Sequence, residues 1–205
     1  WINRIINDGK LRCGVSTGLG GFAESDDSDN WSGFDVDLCR AVAVATLGNK
    51  NSVEFVPLTG NQRFNAVDNG SIDLLARNTT WTMFRDSRYD IDYAGINFFD
   101  GQGLLVKSAS GIHSVNDLEG KKICVQDNSR IHSNIENYFS ILQINIEIDN
   151  ASTNEQALTN YINGNCDAYS TDSSALASKR STNSSLSDDK ILTELISKEP
   201  LGPVV

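Results

Sequence analysis

Histidine and methionine are scarce. The 205 residues include two histidines, His113 and His132, and one methionine, Met83. A histidine-based metal centre therefore has little to draw on. No Ser-His-Asp or Cys-His set is evident, and both histidines read as solvated surface residues, His113 in a polar loop and His132 near a helix start. No two of the four cysteines are spaced C-x-x-C, which argues against a zinc knuckle and a thioredoxin-type site. Basic residues are in deficit, 17 Lys and Arg against 27 Asp and Glu, for a formal charge of −10. Phosphate binding needs clustered Lys and Arg, so nucleic acid and anionic membrane are poor partners. No apolar run approaches the roughly 18–20 residues of a membrane span. The chain opens Trp1-Ile2-Asn3-Arg4 without an apolar h-region, as a processed or recombinant chain would.

What is present suits a globular protein. Hydrophobic residues make up 39% and charged residues 21%, which argues against disorder. The length allows one large domain or two small ones. A chain of this size buries roughly 70% of its unfolded surface. The cysteines are Cys13, Cys39, Cys124 and Cys166, and four cysteines allow three pairings. Cys13 lies in an apparent strand over 11–16 and Cys39 in the helix that follows. Cys124 and Cys166 lie in or beside later strands. These contexts predict Cys13–Cys39 and Cys124–Cys166, one bridge in each half, each adding about 2–4 kcal/mol. The alternative is four buried free thiols, since cysteine packs as a small hydrophobe. The even count in an acidic chain leans toward an oxidising compartment.

Strand and helix patterns alternate along the chain. Strands are expected over 11–15, 53–58, 72–76, 103–107, 122–126, 145–149 and 167–170. Residues 191–197 also look extended. Helices are expected over 34–47, 64–69, 133–142, 154–163 and 173–180. In the first, Phe34, Leu38, Cys39, Val42 and Ala45 recur at helical spacing and Gly48 is the stop. Alternation of this kind predicts an α/β architecture with mainly parallel sheets. The series occurs twice, before and after residues 100–121. The first crossover is placed near Asp100–Gly103, and the Ser/Asn/Asp-rich stretch 181–189 reads as a surface loop.

The segments that could carry chemistry follow strands. In open α/β sheets, ligands bind at the carboxyl ends of the strands. Arg77-Asn78-Thr79-Thr80-Trp81-Thr82-Met83-Phe84-Arg85-Asp86 joins backbone N–H groups, threonine hydroxyls and a guanidinium, which suit a carboxylate or a phosphate. Arg85 could grip a carboxylate with both arms, or simply form a surface ion pair. Gln126-Asp127-Asn128-Ser129-Arg130 precedes a helix, and Ser129 could be no more than its N-cap. In Tyr169-Ser170-Thr171-Asp172-Ser173, Asp172 either caps the next helix or pairs with a cation in a cleft. The glycines of 16–22 lack the G-x-G-x-x-G spacing, which makes a dinucleotide site a weak reading. Asp35 and Asp37 suit the first turn of a helix better than acid catalysis.

Taken together, several runs resemble a known family. They are Gly9-Lys10-Leu11-Arg12-Cys13-Gly14-Val15, Gly33-Phe34-Asp35-Val36-Asp37-Leu38-Cys39-Arg40-Ala41-Val42-Ala43, Gly70-Ser71-Ile72-Asp73-Leu74-Leu75 and Arg77-Asn78-Thr79-Thr80-Trp81-Thr82. The resemblance continues in Tyr93-Ala94-Gly95-Ile96-Asn97-Phe98-Phe99-Asp100-Gly101-Gln102-Gly103, Leu118-Glu119-Gly120-Lys121 and Ile196-Ser197-Lys198-Glu199-Pro200-Leu201-Gly202-Pro203. The chain resembles the general and polar L-amino-acid-binding proteins of bacterial ABC importers, family 3 of the extracellular solute-binding proteins, over nearly its whole length. The cysteines also fall where the broad-specificity branch places them.

The resemblance implies a two-lobed periplasmic binding protein fold of type II, with the ligand in a cleft between lobes and hinge closure on binding. Lobe 1 would be residues 1–101, lobe 2 residues 102–193, and residues 194–205 the return crossover, with the remainder of lobe 1 lying beyond this chain. Arg85, assisted by Asn78, Thr80 and Ser129, would hold the ligand carboxylate. Asp172, with Asn78, would hold the ammonium. Ser16, Leu19, Phe22 and Arg130 would line the side-chain pocket, with Leu19 where many relatives place an aromatic ring. Asn128-Ser129-Arg130 stands where the family usually has Gly-Thr-Thr, so Arg130 replaces an expected threonine. The implied protein is a periplasmic monomer with its signal peptide removed. It delivers L-amino acids of broad range to an ABC permease in the inner membrane, and it has no catalytic residues, metal or cofactor. Two alternatives use the same fold. One is a lyase resembling cyclohexadienyl dehydratase, which would need an acid or base such as Asp127 or Glu24. The other is the ligand-binding part of a membrane sensor.

Overall fold

Residues 2–127 and 129–205 are described by the structure, a computed structural model. The chain divides into two units, Trp1–Phe99 with Pro200–Val205 and, inserted between them, Asp100–Glu199.

The first unit begins with helix α1 (Ile2–Asp8) and strand β1 (Leu11–Ser16). A short antiparallel pair follows, β2 (Glu24–Ser25) and β3 (Trp31–Ser32), then helix α2 (Phe34–Leu47) and strand β4 (Val53–Leu58). Next come α3 (Arg63–Asp68), β5 (Leu74–Leu75) and α4 (Met83–Arg88). The sheet order is β4-β1-β5 and both pairings are parallel. One face of the sheet packs Cys13, Val15 and Leu74 against Ile5 of α1 and Val36, Cys39 and Ala43 of α2. The other face packs Leu58 and Leu75 with Phe64, Ile72, Ile91, Tyr93 and Val204. The buried stripe of α2 thus centres on Val36, Cys39 and Ala43, and Phe34 and Ala45 are exposed. Cys39, in the middle of this stripe, is bonded to Cys13 of β1. Gly48 ends the helix in the left-handed region at φ 72°, and its N–H donates to the Val44 carbonyl.

Buried Asp73 ties the start of this unit to its middle. Its carboxylate accepts from the guanidinium of Arg4, and from the backbone N–H (2.8 Å) and Nε (3.2 Å) of Arg12. Burial opposes its ionisation. The Arg12 backbone N–H and the two guanidiniums outweigh that and hold its pKa below the ordinary value.

After β6 (Phe98–Asp100), the second unit contains β7 (Gln102–Val106), β8 (Lys122–Gln126), α5 (Arg130–Leu142), β9 (Glu147–Ala151) and α6 (Asn154–Ile162). It continues with β10 (Ala168–Asp172), α7 (Ser173–Thr182) and β11 (Lys190–Ile191). The chain then pairs β12 (Glu199–Leu201) with β6. The sheet order is β11-β7-β10-β8-β9. β10, β8 and β9 run parallel, whereas β7 is antiparallel to both of its neighbours. β7, β8 and β10 alternate between two buried faces. Leu104, Val106, Ile123, Val125 and Ala168 meet Ile135 and Phe139, four apart on α5. Leu105, Cys124 and Tyr169 meet Ala157 and Tyr161 of α6 and Leu176 of α7.

Both expected disulfides are present, Cys13–Cys39 and Cys124–Cys166. Several expected elements shift. The strand expected over 72–76 shortens to Leu74–Leu75, the two residues that pair with β1, at Cys13 and Gly14. Residues 191–197 contribute only Ile191 to a strand. β9 runs two residues beyond the expected 145–149 and α5 starts three residues before the expected Ser133. Among the described residues, no helix is long and apolar enough to cross a membrane.

Candidate functional site

In the first unit, parallel strands bring three loops to one sheet edge: 17–22 after β1, 59–62 after β4 and 76–82 after β5. Arg77 Nε donates to the Leu58 carbonyl at 3.2 Å, joining two of them. The third loop leads into α4, whose N-cap Thr82 accepts from the Arg85 backbone N–H through its hydroxyl. The half-buried Arg85 side chain folds back over this loop. Its Nη1 donates to the Thr80 carbonyl at 2.7 Å, and its guanidinium lies 5.5 Å from the Phe64 ring centre. The Tyr93 hydroxyl donates to the same carbonyl at 2.9 Å, and the Tyr93 ring stacks on Trp81 at 5.2 Å. The Thr80 carbonyl therefore anchors a cation and a phenol. The loop is held from behind by Trp81 N–H to the Pro200 carbonyl and Gly202 N–H to the Thr79 carbonyl. Asn78 is half-buried. Thr79 is fully buried, and its hydroxyl has no hydrogen-bond partner among the described residues.

Of the residues expected in the side-chain pocket, Ser16, Leu19 and Phe22 all lie in or after β1 and are all buried. Phe22 is enclosed by Phe34 and Phe98, at 6.1 and 5.2 Å between ring centres. Gly33 lets this loop close onto α2. Its φ is 121°, and a Cβ there would lie 2.3 Å from the Phe22 carbonyl oxygen. The next residue but one, Asp35, donates its backbone N–H to that same oxygen. Its side chain is buried in the first turn of α2. Burial pushes the Asp35 carboxyl up to about 7, with Arg77 pulling in the opposite direction.

In the second unit, the parallel strands β8 and β10 end side by side, and each runs into a helix. Ser129 is the N-cap of α5, its hydroxyl accepting from the His132 N–H at 3.3 Å and donating to the Gln126 carbonyl at 2.5 Å. Arg130 follows as the first helical residue. Its Nε lies 3.8 Å from Glu199 Oε2. Asn128, part of the expected Asn128-Ser129-Arg130 turn, lies outside the described residues. Asp172 stands at the N-cap position of α7 but makes no cap hydrogen bond. That role falls to Asp100, whose carboxylate accepts from the backbone N–H of Ser174 at 3.2 Å and from its hydroxyl. Asp100 carried no signal in the sequence as a cap, because it lies 74 residues from its partner. Glu199 was likewise invisible as an ion partner: its polar contacts, Ser197 apart, come from α5.

The one group of metal-ligating atoms among the described residues is Cys124, Asp149 and Cys166. Both sulfurs are consumed by the disulfide, which leaves a single carboxylate there.

Residues 11–181 match the family described as bacterial extracellular solute-binding proteins, family 3. Over 197 residues the chain is 43% identical to the glutamate/glutamine/aspartate/asparagine-binding protein BztA of Rhodobacter capsulatus, covering 96% of this chain and 58% of that protein. It is 43% identical over 200 residues to the general L-amino acid-binding periplasmic protein AapJ of Rhizobium johnstonii, with the same coverage. Among solved structures, an ABC transporter/periplasmic binding protein from Brucella ovis with glutathione bound is similar at a TM-score of 0.94 and 44% identity, covering 100% of this chain and 64% of that one. The chain thus spans about three-fifths of the length of these relatives. It belongs to the bacterial extracellular solute-binding proteins, family 3.

Proposed function

We propose that this chain is the ligand-binding part of the amino-acid-binding component of a bacterial ABC importer. In this reading it works in the periplasm as a monomer, takes L-amino acids of broad range, and hands them to an inner-membrane permease. It carries out no chemistry and needs no cofactor. The chain acts as a two-lobed clamp, with residues 1–101 and 102–193 as the lobes and 194–205 as the return. Arg85, Thr80, Asn78 and Ser129 hold the ligand carboxylate. Asp172 and Asn78 hold the ammonium, and Ser16, Leu19, Phe22 and Arg130 surround the side chain.

One observation carries the reading. A half-buried guanidinium, Arg85, sits at the carboxyl edge of one unit's sheet, and a half-buried carboxylate, Asp172, at the carboxyl edge of the other's. A zwitterion needs both, since burying its two charges is tolerable only with partners at each end. If the partners come from different units, binding and closure are linked. The names of the relatives, amino-acid-binding proteins, support the same conclusion.

A thermal-shift screen against the twenty L-amino acids tests this, on protein unfolded and refolded to strip bound ligand. At about 100 times Kd a ligand adds roughly 2.7 kcal/mol, which raises the melting temperature by several degrees. Shifts with many amino acids support the proposal. A folded protein that shifts with none refutes it.

A further inference from the structure

Arg130 and Glu199 form a pair that the binding of a bare amino-acid backbone does not require. The Glu199 side chain is 3% exposed. Its Oε1 accepts from the Ser197 hydroxyl at 2.7 Å and from Asn134 Nδ2 at 3.2 Å. Its Oε2 accepts no hydrogen bond among the described residues, and its nearest cation is Arg130, through Nε at 3.8 Å. A buried carboxylate compensated from one side in this way fixes where that guanidinium sits. Arg130 is nevertheless 44% exposed at its side chain. Among the described residues its guanidinium makes no hydrogen bond, so Glu199 faces the Nε side while both terminal amino groups remain to meet a planar oxyanion. Asn134 and Arg130 lie four apart on α5, so one carboxylate braces two successive positions on a helix face.

The position of the guanidinium matters. β8 and β10 are registered in parallel, Ile123 beside Ala168 and Cys124 beside Tyr169, so Arg130 and Asp172 lie just beyond the same sheet edge. One rim of this unit therefore presents an anion and a cation. Asp127 joins them there, with His132 Nδ1 at 3.6 Å.

We infer that Arg130, positioned by Glu199, is a specificity residue that favours amino acids with an acidic side chain, its guanidinium pairing with the distal carboxylate. The inference rests on the amino-acid-binding reading and narrows its substrate class. L-Glutamate and L-glutamine are the right probes, being equal in shape and different in charge. Calorimetric titration of the stripped protein with each, at two salt concentrations, gives the ratio of the two affinities. The wild type should prefer glutamate, and more strongly at low salt, because the difference is an ion pair. Arg130→Gln should lower the glutamate-to-glutamine ratio about tenfold or more and remove its salt dependence. Arg130→Lys keeps the charge without the fork and should fall between. A ratio unchanged by Arg130→Gln, in a variant that still binds amino acids, overturns the inference and leaves the parent reading standing. A folded wild type that binds neither probe nor any other amino acid defeats both.

Discussion

Asp35 should make this protein less stable as the pH rises toward neutrality, and Asp35→Asn should remove that loss. The side chain is 3% exposed, and Oδ2 has no hydrogen-bond partner among the described residues. Two effects favour the ionised form: the α2 N-terminus, worth about 0.3–1 kcal/mol to an anion, and the charge of Arg77. Burial outweighs them and raises the carboxyl from 3.8 to about 7. Between these two values the folded protein holds a proton that the unfolded chain has lost. The native state then binds more protons, so stability falls as pH rises through that window and levels off above it. At about 1.36 kcal/mol per unit, a shift of this size bounds the loss near 4 kcal/mol. Relaxation and water entry reduce it, so at least about 1 kcal/mol should remain. Asparagine has nearly the same shape and no charge to bury. Urea melts of both proteins at pH 4.5 and pH 8 give the stability of the variant relative to wild type. Groups common to both proteins cancel in that difference, which should rise in favour of Asp35→Asn by about 1–4 kcal/mol. A difference independent of pH would refute the reasoning, and so would one that falls.

Asp73 has the opposite sign. Its pKa is held down, so its contribution is complete above the unfolded value of 3.8 and is lost as pH falls through the folded one. Asp73→Asn should cost about 3 kcal/mol at pH 7, the low end for breaking a buried pair because Arg4 is partly exposed, and progressively less in urea melts as the pH is lowered below 3.8. Arg85→Ala should weaken binding of the best amino acid by more than about 2 kcal/mol, as for a buried charge that loses its partner; near-normal affinity in calorimetry would remove Arg85 from the carboxylate site. Gly33→Ala forces a Cβ against the Phe22 carbonyl at a positive φ. It should lower stability by more than about 1 kcal/mol, and a melting temperature equal to wild type would show that the 17–22 loop is free to move.

Local chemistry was the readable part of this sequence. The span of α2 followed from apolar spacing and a glycine stop, and the disulfide partners from the elements that carry them. Other features depended on distant groups. α1 and α4 are too short for periodicity to register, and α4 exists because Thr82 caps it and the loop before it is pinned by Pro200 and Gly202. β7 looks like any buried strand, and nothing within its own residues says that it runs against its neighbours. At the candidate site, the Ser129 cap is written in adjacent residues. The division of labour between Asp100 and Asp172 is not, because Asp100 reaches α7 from the far side of the second unit's sequence. Arg130 stood out only as an unexpected residue in a familiar turn. Its tie to Glu199 spans 69 positions and has no sequence signature.

The insertion of one unit within the other has a consequence for how the first unit is completed. The edge of the first unit's sheet at Leu75 is closed by Val204, which bonds it in both directions, and Val205 pairs likewise with Asp92. About a hundred residues separate Phe99 from the Pro200–Val205 segment that supplies these contacts. Closing a loop of that length costs more chain entropy than the local contacts of the unit do, though the cost grows only slowly with length. Until that contact forms the Leu75 edge is open, whereas the second unit is one contiguous stretch of sequence. Val204 and Val205 thus act as a latch over an edge of the first unit's sheet that residues 1–99 leave open to pairing with a neighbour.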